Sequence, residues 1–525
     1  MALGSLVLLL WVVMVGLHIR REYMQPELTR LALATLTLAP GTHFYSVHMG
    51  GQPLGTASSR LDTVPEGFLL EDMLELELQA MGQRGTAVAR TQVVLSPILT
   101  LLEFHFSLTS EAGRFLAEGV VEGDSLLRVQ VDAGGGTPEE VTFRVDESPL
   151  FAAALPIRLA KGGLLREGRT HRFAVFDPST VSTRTVEVEV MERDQLLLPD
   201  SAFLDPGSGR WLPAESRPVD VWRVQERYGG ISVESWIDED GRVVRSSSPL
   251  GFSLERTPFE LARQVREESR ERMAAGDLSG DVILSTAIQS NVELARVEDH
   301  PELRFLLSGV ELEGFDLRGG RQELRGDTLV VRREVLEELR PGYQLPYPRM
   351  DLRSALESEP LIQSGDPRIQ AEARRIVGRN RGVRSDPLQV ALRLNEAVHR
   401  MLRKEITFSF PSATQVLESR VGDCNEHTVL YVALARALGL PARTAVGLVY
   451  LDGAFFYHAW PEVWLGEWVA MDPTFGQAPA DAAHLRFVTG SLAQQVEVAR
   501  LIGNLRIEVL EAPSGSPGAE PRGSE

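Results

Sequence analysis

The sequence predicts a multidomain chain with an N-terminal membrane anchor, antiparallel β-rich regions and a C-terminal α+β domain. Residues 2–17 are apolar and carry no charge, which predicts the anchor. Long central stretches alternate apolar and polar residues, the pattern of half-buried antiparallel strands. Residues 366–438 show helical periodicity, and aromatic and β-branched strands follow them. With 525 residues, 43% of them hydrophobic, the chain can form roughly two to four domains.

Residues 1–22 are predicted to be a membrane anchor or signal segment. No small-x-small cleavage site follows the apolar run, so we expect the segment to be retained. Arg20 and Arg21 come directly after it, and positive charge there favours a cytoplasmic location for the rest of the chain. We nevertheless expect the rest of the chain on the periplasmic or extracellular side, because long β-rich regions without disulfides are common outside the cell membrane.

Residues 23–256 are predicted to form a β-rich domain. Apolar and acidic residues alternate strictly over residues 74–78 and again over 186–190. Both segments fit strands that bury one face. Residues 231–244 predict a hairpin, because an Asp-Glu-Asp-Gly turn at 238–241 separates two apolar runs.

A linker helix and a second β-rich segment are predicted next. Residues 257–276 are charged, have helical spacing and begin with Thr257 and Glu260 at the positions of a capping box. Residues 277–345 return to short strands such as 328–332, which predicts a small β-rich module.

Residues 355–511 are predicted to form the α+β domain. Asp366 and Asp386 each precede a proline and an apolar stripe, which predicts two capped helices. Beyond them the chain forms a third helix and then strands. Residues 512–525 are rich in proline, glycine and serine, which predicts a disordered tail.

Cys424 is the only cysteine in the chain, so it cannot form an internal disulfide. It is an inert buried residue, a metal ligand without thiol partners, or a nucleophile. Leu430 and Leu434 continue one apolar helical face after it, and Gly439 ends the pattern, so Cys424 should lie in the first turn of a helix. The amides and dipole of a helix N-terminus stabilise a thiolate, so we expect a lowered thiol pKa.

His458 and Asp472 are predicted to lie on one hairpin. Residues 455–464 and 468–472 are strand-like, and a short connection containing Gly466 joins them. If Gly466 is at the centre of the turn, His458 and Asp472 become diagonal neighbours on one face, within reach of a hydrogen bond. Cysteine, histidine and aspartate could then act as nucleophile, proton carrier and orienting carboxylate.

The stretch from Gly422 to Thr474 resembles the transglutaminase-like superfamily, including its bacterial membrane-anchored members. In this resemblance Cys424 corresponds to the nucleophile, His458 before Ala-Trp to the base, and Asp472 before Pro-Thr to the orienting acid. The resemblance implies a papain-like α+β fold and acyl transfer through a thioester. It leaves the acceptor open, because the superfamily includes cross-linkers, peptidases, amidases and members that have lost catalysis. The calcium sites of the eukaryotic cross-linkers have no recognisable counterpart in the sequence.

The oxyanion of such a reaction needs donors near the sulfur. The backbone N–H of Cys424 is one candidate, and a side chain nearby should supply the second. Asn425, His427 and Tyr457 are candidates by proximity in the sequence. A helix-capping role for the residues next to Cys424 is an equally good interpretation.

The composition limits the partners and cofactors. A net charge of −19 argues against a nucleic-acid partner. The sequence contains no phosphate-binding glycine loop and no zinc signature, so we predict neither a metal nor a cofactor.

The leading hypothesis is therefore a membrane-anchored cysteine acyl-transfer enzyme that acts on peptide or amide bonds through a thioester on Cys424. We expect a peptide or protein substrate, a membrane contact through the N-terminal segment, and hydrolysis in preference to cross-linking. The alternative is a non-catalytic binding or scaffold protein that uses a transglutaminase-like core and β domains.

Overall fold

The computed structural model describes residues 27–510, apart from 112, 124–125, 135–137, 145–148, 229–230, 250, 278–280 and 409. The predicted anchor, residues 1–22, and the predicted tail, residues 512–525, lie outside the described residues. Among the residues that are described, no helix is both long enough and apolar enough to cross a membrane.

The N-terminal β-rich domain is built on one large sheet of 15 strands. The strands of this domain are β1 Gly41–Met49, β2 Gln52–Val64, β3 Gly67–Ala80, β4 Gln83–Leu95, β5 Leu101–Ser110, β6 Gly113–Glu122, β7 Leu126–Asp132, β8 Glu139–Arg144, β9 Leu150–Phe151, β10 Thr170–Asp177, β11 Ser182–Pro199, β12 Ala202–Leu204, β13 Trp211–Pro213, β14 Ser216–Tyr228, β15 Ile231–Ile237, β16 Val243–Ser247 and β17 Phe252–Thr257. Its helices are α1 Glu27–Thr35, α2 Leu155–Lys161 and α3 Phe259–Ala274, with a 3₁₀ turn at Ala152–Ala154.

The order of strands across the large sheet is β8-β7-β6-β5-β4-β3-β2-β1-β17-β16-β15-β14-β11-β10-β9, and β12 and β13 form a separate pair. The predicted alternation is confirmed in β11, where Val186, Val188 and Val190 are buried. The acidic residues between them face partly into solvent, and Glu187 accepts a hydrogen bond from Arg172 of β10 at 2.9 Å. The period of two in the sequence therefore becomes an apolar face and an ion-paired face.

Helix α3 forms where the sequence predicts a helix, but the predicted capping box does not. Thr257 is still paired with Phe44 in the sheet, so Pro258 becomes the N-cap residue and makes no side-chain capping bond. The helix packs against the sheet, and Arg266 forms ion pairs with Glu75 and Glu77 of β3. It covers one face of the sheet instead of serving only as a linker.

The C-terminal part of the chain combines helices with two larger sheets and a short parallel pair formed by β22 and β23. Its strands are β18 Ile288–Gln289, β19 Glu302–Ser308, β20 Gln322–Arg325, β21 Thr328–Arg332, β22 Arg403–Lys404, β23 Val421–Gly422, β24 Ala442–Leu451, β25 Ala454–Trp464, β26 Trp468–Ala470, β27 His484–Thr489 and β28 Arg506–Leu510. Its helices are α4 Val282–Thr286, α5 Pro367–Val377, α6 Arg381–Ser385, α7 Pro387–Met401, α8 Ala413–Ser419, α9 Cys424–Ala437 and α10 Leu492–Gln495, with 3₁₀ turns at Val297–Asp299, Leu336–Glu338, Arg353–Ala355 and Val496–Leu501. The two predicted capped helices are α5 and α7, whose N-caps are Asp366 and Asp386.

Strand pairing crosses the predicted boundary between residues 277–345 and residues 355–511. One sheet has the order β20-β21-β19-β28, so the strand at Arg506–Leu510 pairs with β19. The other has the order β18-β25-β24-β27, with β26 on β25, so β18 joins the sheet that carries His458. Phe305 and Phe455 lie in one buried core, their ring centroids 5.8 Å apart. The two predicted segments therefore share a core.

A loop that approaches the Cys424 helix contacts the large N-terminal sheet. The backbone N–H of Ile406 donates to the side-chain oxygen of Gln83 at 2.8 Å. The Ser412 hydroxyl donates to the carbonyl of Ala133 at 2.8 Å. Phe410 packs edge-on against a phenylalanine of β6, with ring centroids 5.3 Å apart. The β-rich domain thus supports the segment that precedes the candidate nucleophile.

Candidate active site

Cys424 is the first residue of helix α9, as the sequence predicts. The carboxylate of Asp423 accepts from the N–H of Asn425 at 2.9 Å, and the carboxylate of Glu426 accepts from the N–H of Asp423 at 2.9 Å. These reciprocal bonds form a capping box, so the capping interpretation of the neighbours of Cys424 is confirmed for Glu426. Cys424 itself is half-buried.

The hairpin that carries His458 and Asp472 has the predicted register. Trp464 pairs with Trp468 across the turn. The pairing extends as far as Pro461, whose carbonyl accepts from the N–H of Met471 at 2.9 Å, and the backbone of Asp472 pairs with Gln477 instead. His458 and Asp472 are both buried, and His458 Nε2 donates to Asp472 Oδ2 at 2.7 Å.

The two oxygens of Asp472 perform separate tasks. Oδ1 accepts from the N–H groups of Thr474 at 2.7 Å and Phe475 at 3.0 Å, so the Asp-Pro-Thr segment is an Asx turn. Oδ2 is thereby directed at His458. Burial alone would raise the pKa of Asp472, but the imidazoles of His458 and His484 outweigh it, and that pKa lies far below its usual range.

Cys424 contacts strand β25 at Ala459, the residue that follows His458. The backbone N–H of Ala459 donates a hydrogen bond to the Cys424 sulfur, and the charge of Asp472 also acts on the thiol. Because Nε2 of His458 is bonded to Asp472, Nδ1 is the ring nitrogen that remains for the thiol. The structure therefore brings the three predicted residues to one place.

The thiol of Cys424 does not have the lowered pKa that its helix position predicts. Burial raises the pKa of Cys424 well above its usual value, and the carboxyl groups of Asp423, Glu426 and Asp472 add to that effect. The amide of Ala459 opposes it only in part. The prediction is wrong because burial of the thiol and the nearby carboxyl groups disfavour the thiolate more than the amide of Ala459 favours it.

His484 is a member of the site that the sequence reasoning missed. It is fully buried, and it donates from Nε2 to Asp472 Oδ2 at 3.0 Å and from Nδ1 to Asp481 Oδ1 at 2.8 Å. Burial lowers the pKa of His484, but the two carboxylates more than compensate and raise it to about 9. His484 is therefore an imidazolium that shares Asp472 Oδ2 with His458 and links it to Asp481.

The sequence near His484 does not reveal its contact with Asp472. This histidine lies three residues after Asp481 and twelve after Asp472, in an aromatic strand-like run, yet strand β27 does not pair with the His458 strand directly. Both pair with β24, whose ladder with β27 is irregular at Gly447. A Cβ at Gly447 would lie 1.9 Å from the carbonyl of Leu485, so the glycine permits the close approach.

A glutamine at position 484 should remove a pH dependence of stability. The folded pKa of about 9 exceeds the usual 6.5, so the stabilisation by this imidazolium is complete below about pH 6.5 and is lost as pH rises through 9. The difference corresponds to about 3 kcal/mol of unfolding free energy. Urea unfolding of H484Q at pH 6 and pH 9, with H300Q as a control, measures it. If the unfolding free energy of H484Q falls between pH 6 and pH 9 by as much as that of wild type, this assignment is contradicted.

The structure argues against two of the three side chains considered as the second oxyanion donor. His427 Nδ1 donates to the carbonyl of Asp423 at 2.6 Å, and burial lowers the pKa of His427, so its buried Nε2 carries no proton to donate. Tyr457 precedes His458 on the strand and packs in the core on the other face of the sheet. Asn425 is exposed beside Cys424 and remains the candidate, together with the amide of Cys424.

The nitrogens of His458 and His484 and an oxygen of Asp472 lie within 4.8 Å of one another, a spacing that a metal ion could use. Hydrogen bonds already occupy these atoms, and His484 carries protons on both nitrogens. Their chemistry fits a hydrogen-bonded chain from Asp481 through His484 and Asp472 to His458.

Comparison with known families agrees with this geometry. Residues 374–473, which include Cys424, His458 and Asp472, match the transglutaminase-like superfamily. The chain contains a transglutaminase-like domain. That domain and its site support a cysteine-based enzyme. No curated protein matches the chain.

Solved structures show only distant similarity to the chain. A putative cysteine protease from Cytophaga hutchinsonii is 17% identical, covers 46% of this chain and 91% of its own, and has a TM-score of 0.28. The periplasmic domain of TgpA from Pseudomonas aeruginosa, bound to ethylmercury, is 22% identical. The match covers 34% of this chain and 74% of the TgpA domain, with a TM-score of 0.22. A β-barrel-like protein of unknown function from Brucella abortus is 13% identical. The match covers 42% of this chain and 95% of the Brucella protein, with a TM-score of 0.30.

Proposed function

We propose that this protein is a cysteine acyl-transfer enzyme that cleaves peptide or amide bonds through a thioester on Cys424, and that water is its usual acceptor. The observation that carries the proposal is the 2.7 Å bond between His458 Nε2 and Asp472 Oδ2. It orients the imidazole so that Nδ1 is the nitrogen for Cys424, whose sulfur lies against the neighbouring amide of Ala459. Geometry of this kind supports nucleophilic catalysis.

The first half of the reaction transfers the acyl group to sulfur. Because its pKa is raised, the resting Cys424 thiol keeps its proton. His458 therefore accepts that proton through Nδ1 as the sulfur attacks the carbonyl carbon. The C–N bond then breaks, the proton passes from His458 to the leaving amine, and a thioester remains. Asp472 stays ionised throughout and supports the imidazolium.

The second half releases the acyl group. His458 accepts a proton from water while the oxygen attacks the thioester carbon, the C–S bond breaks, and the sulfur takes the proton back. A carboxylic acid leaves and the free thiol is restored. Phe475, stacked on His458 with ring centroids 5.0 Å apart, is 40% exposed, so solvent reaches the edge of the site. This openness supports hydrolysis in preference to cross-linking, which must exclude water.

Incubation with an amide-bearing peptide and a labelled primary amine should separate the two acceptors. We expect released acid or ammonia to exceed incorporated amine by at least about tenfold, because nothing among the residues named above excludes water. Mass spectrometry of the peptide measures both products. Amine incorporation greater than hydrolysis would reverse the choice of acceptor and leave the thioester step intact.

A non-catalytic binding or scaffold protein is the second candidate, and the raised pKa of Cys424 is the observation in its favour. The two candidates differ in what His458 does for the thiol. For an enzyme, H458Q should lower acylation by an activated ester about 10²–10⁴-fold, whereas the slow alkylation by iodoacetamide at pH 7 should change little. His399 bonds to the carbonyl of Pro473 at 2.9 Å, so H399Q is a matched control. Acylation that is equal in wild type and H458Q would support the scaffold.

We further propose that the apolar segment at residues 2–17 anchors the protein and that the catalytic domain lies outside the cytoplasmic membrane. The uncharged run and the absence of a cleavage motif support the anchor. The sole cysteine is also a topology probe. With the outer membrane permeabilised and the cytoplasmic membrane intact, a membrane-impermeant acylating reagent should label Cys424, and labelling only after lysis of the cytoplasmic membrane would place the domain in the cytoplasm.

A further inference from the structure

The large N-terminal sheet encloses a cavity of about 470 Å³. Strands β4 and β14 both line it, through Ala89 and Tyr228, although six strands lie between them in the sheet. The sheet therefore curls around this space. Ile157 of α2 also lines it. The volume falls within the range of small-molecule sites.

Three carboxyl groups line this mainly apolar cavity, and two of them lie on strands of the sheet. Asp72 lies on β3 and Glu226 on β14. Burial raises the pKa of Asp72 to about 6 and that of Glu226 to about 7, and the only opposing contacts are the hydroxyls of Ser59 and Ser235. Among the described residues, no ion pair includes either carboxyl group. Asp72 Oδ1 is buried and has no hydrogen-bond partner in the part of the chain that the structure describes.

The other charged groups of the lining already have partners. Asp240 pairs with Lys161 at 2.6 Å, and Arg242 donates to the carbonyl of Ala39 at 2.5 Å. Burial, with Arg242 as the next cause, lowers the pKa of His43 to about 4, so this imidazole is neutral. Asp72 and Glu226 are thus the acceptors that the protein leaves unneutralised inside an apolar space, which is costly unless a ligand compensates.

We propose that this cavity binds an apolar molecule that carries a protonated amine, with its hydrocarbon part against Leu61, Leu70 and Leu254 and its ammonium group at Asp72, the carboxyl group with an unpartnered buried oxygen. An ammonium supplies up to three donors and a charge of the required sign. An apolar body gains from the surrounding aliphatic walls. A carboxylate ligand would instead face two like charges, and an alcohol would gain no ion pair. This site is separate from Cys424 and independent of the proposed reaction.

Isothermal titration of the full chain with octylamine, octanol and octanoate tests the proposal. At pH 6.5 we expect octylamine to bind at least tenfold more tightly than octanol, and octanoate to bind least. The ammonium favours the ionised carboxylates, so binding should release protons. Titrations in two buffers that differ in ionisation enthalpy measure that release.

Variants locate the site. D72N combined with E226Q should weaken octylamine binding at least tenfold while leaving octanol binding unchanged. E71Q changes a neighbouring carboxyl group that points to the opposite face of β3, and it should leave both affinities unchanged. Asparagine and glutamine have the shape of protonated aspartate and glutamate, the neutral forms that burial already favours, so we expect both variants to fold. Circular dichroism checks that they do. Equal affinities for the three probes, or no proton release by wild type, would overturn the proposal even if a variant failed to fold.

Discussion

Replacing Cys424 with alanine is expected to lower hydrolysis of an amide or activated ester by at least about four powers of ten, because Cys424 supplies the nucleophile of the proposed reaction. The fold should persist, since the half-buried thiol makes one hydrogen bond and the capping box of Asp423 and Glu426 is unaffected. Turnover is measured with purified protein, and whole-protein mass spectrometry shows whether the acyl adduct is lost.

C424S is the matched variant for this test, because it keeps a hydroxyl nucleophile of lower reactivity in the same geometry. We expect C424S to retain slight activity and C424A to retain none above background. Turnover by C424A within tenfold of wild type would place the nucleophile elsewhere. If C424A loses activity and its circular dichroism spectrum also differs from that of wild type, unfolding explains the loss.

Replacing Asp472 with asparagine is expected to lower the catalytic rate by about two to four powers of ten. An amide can still accept from the turn N–H groups of Thr474 and Phe475. Its NH₂ group would then face the donating nitrogens of His458 and His484, where a carboxylate oxygen accepts now. The imidazole of His458 would lose its orientation. Steady-state rates with the activated ester measure the effect.

Asp472 also neutralises a buried imidazolium, so D472N should lower the unfolding free energy by about 3–5 kcal/mol. D481N separates this structural effect from catalysis. Asp481 is the other carboxylate on His484, at 2.8 Å, and the hydrogen bonds described for its side chain go to His484, Gln477 and Ala483. We expect D481N to lose similar stability but less than about tenfold in rate. Equal rate losses in D472N and D481N would mean that Asp472 acts only through the fold.

The parts of the site that could be predicted from sequence depend on local geometry. The Cys424 position follows from contacts three residues apart, in which Asp423 and Glu426 cap the helix. The His458–Asp472 contact follows from a short turn and the period of two in strands. Such short-range rules allow few alternative positions for these side chains. The pattern of residue types was therefore sufficient to predict where they lie.

The parts that could not be predicted depend on contacts far apart in the chain. His484 reaches Asp472 only because β24 lies between β25 and β27 and is irregular at Gly447. The direction of the Cys424 pKa depends on the burial of the helix start among carboxyl groups. Thr257 failed as a cap because its strand partner Phe44 is over two hundred residues away. Period and propensity carry no information about these distant partners.

The pairing of β19 with β28 has a consequence for biosynthesis. The ribosome must add about 200 residues between Ser308 and Leu510, which takes roughly 10–40 s at ordinary elongation rates. Until then one edge of Glu302–Ser308 is unpaired, and Leu303 and Phe305 lack part of their core. We expect chaperones to recognise this edge on the nascent chain. A fragment released before residue 510 would lack the closing strand, so we expect it to be less stable than the full chain.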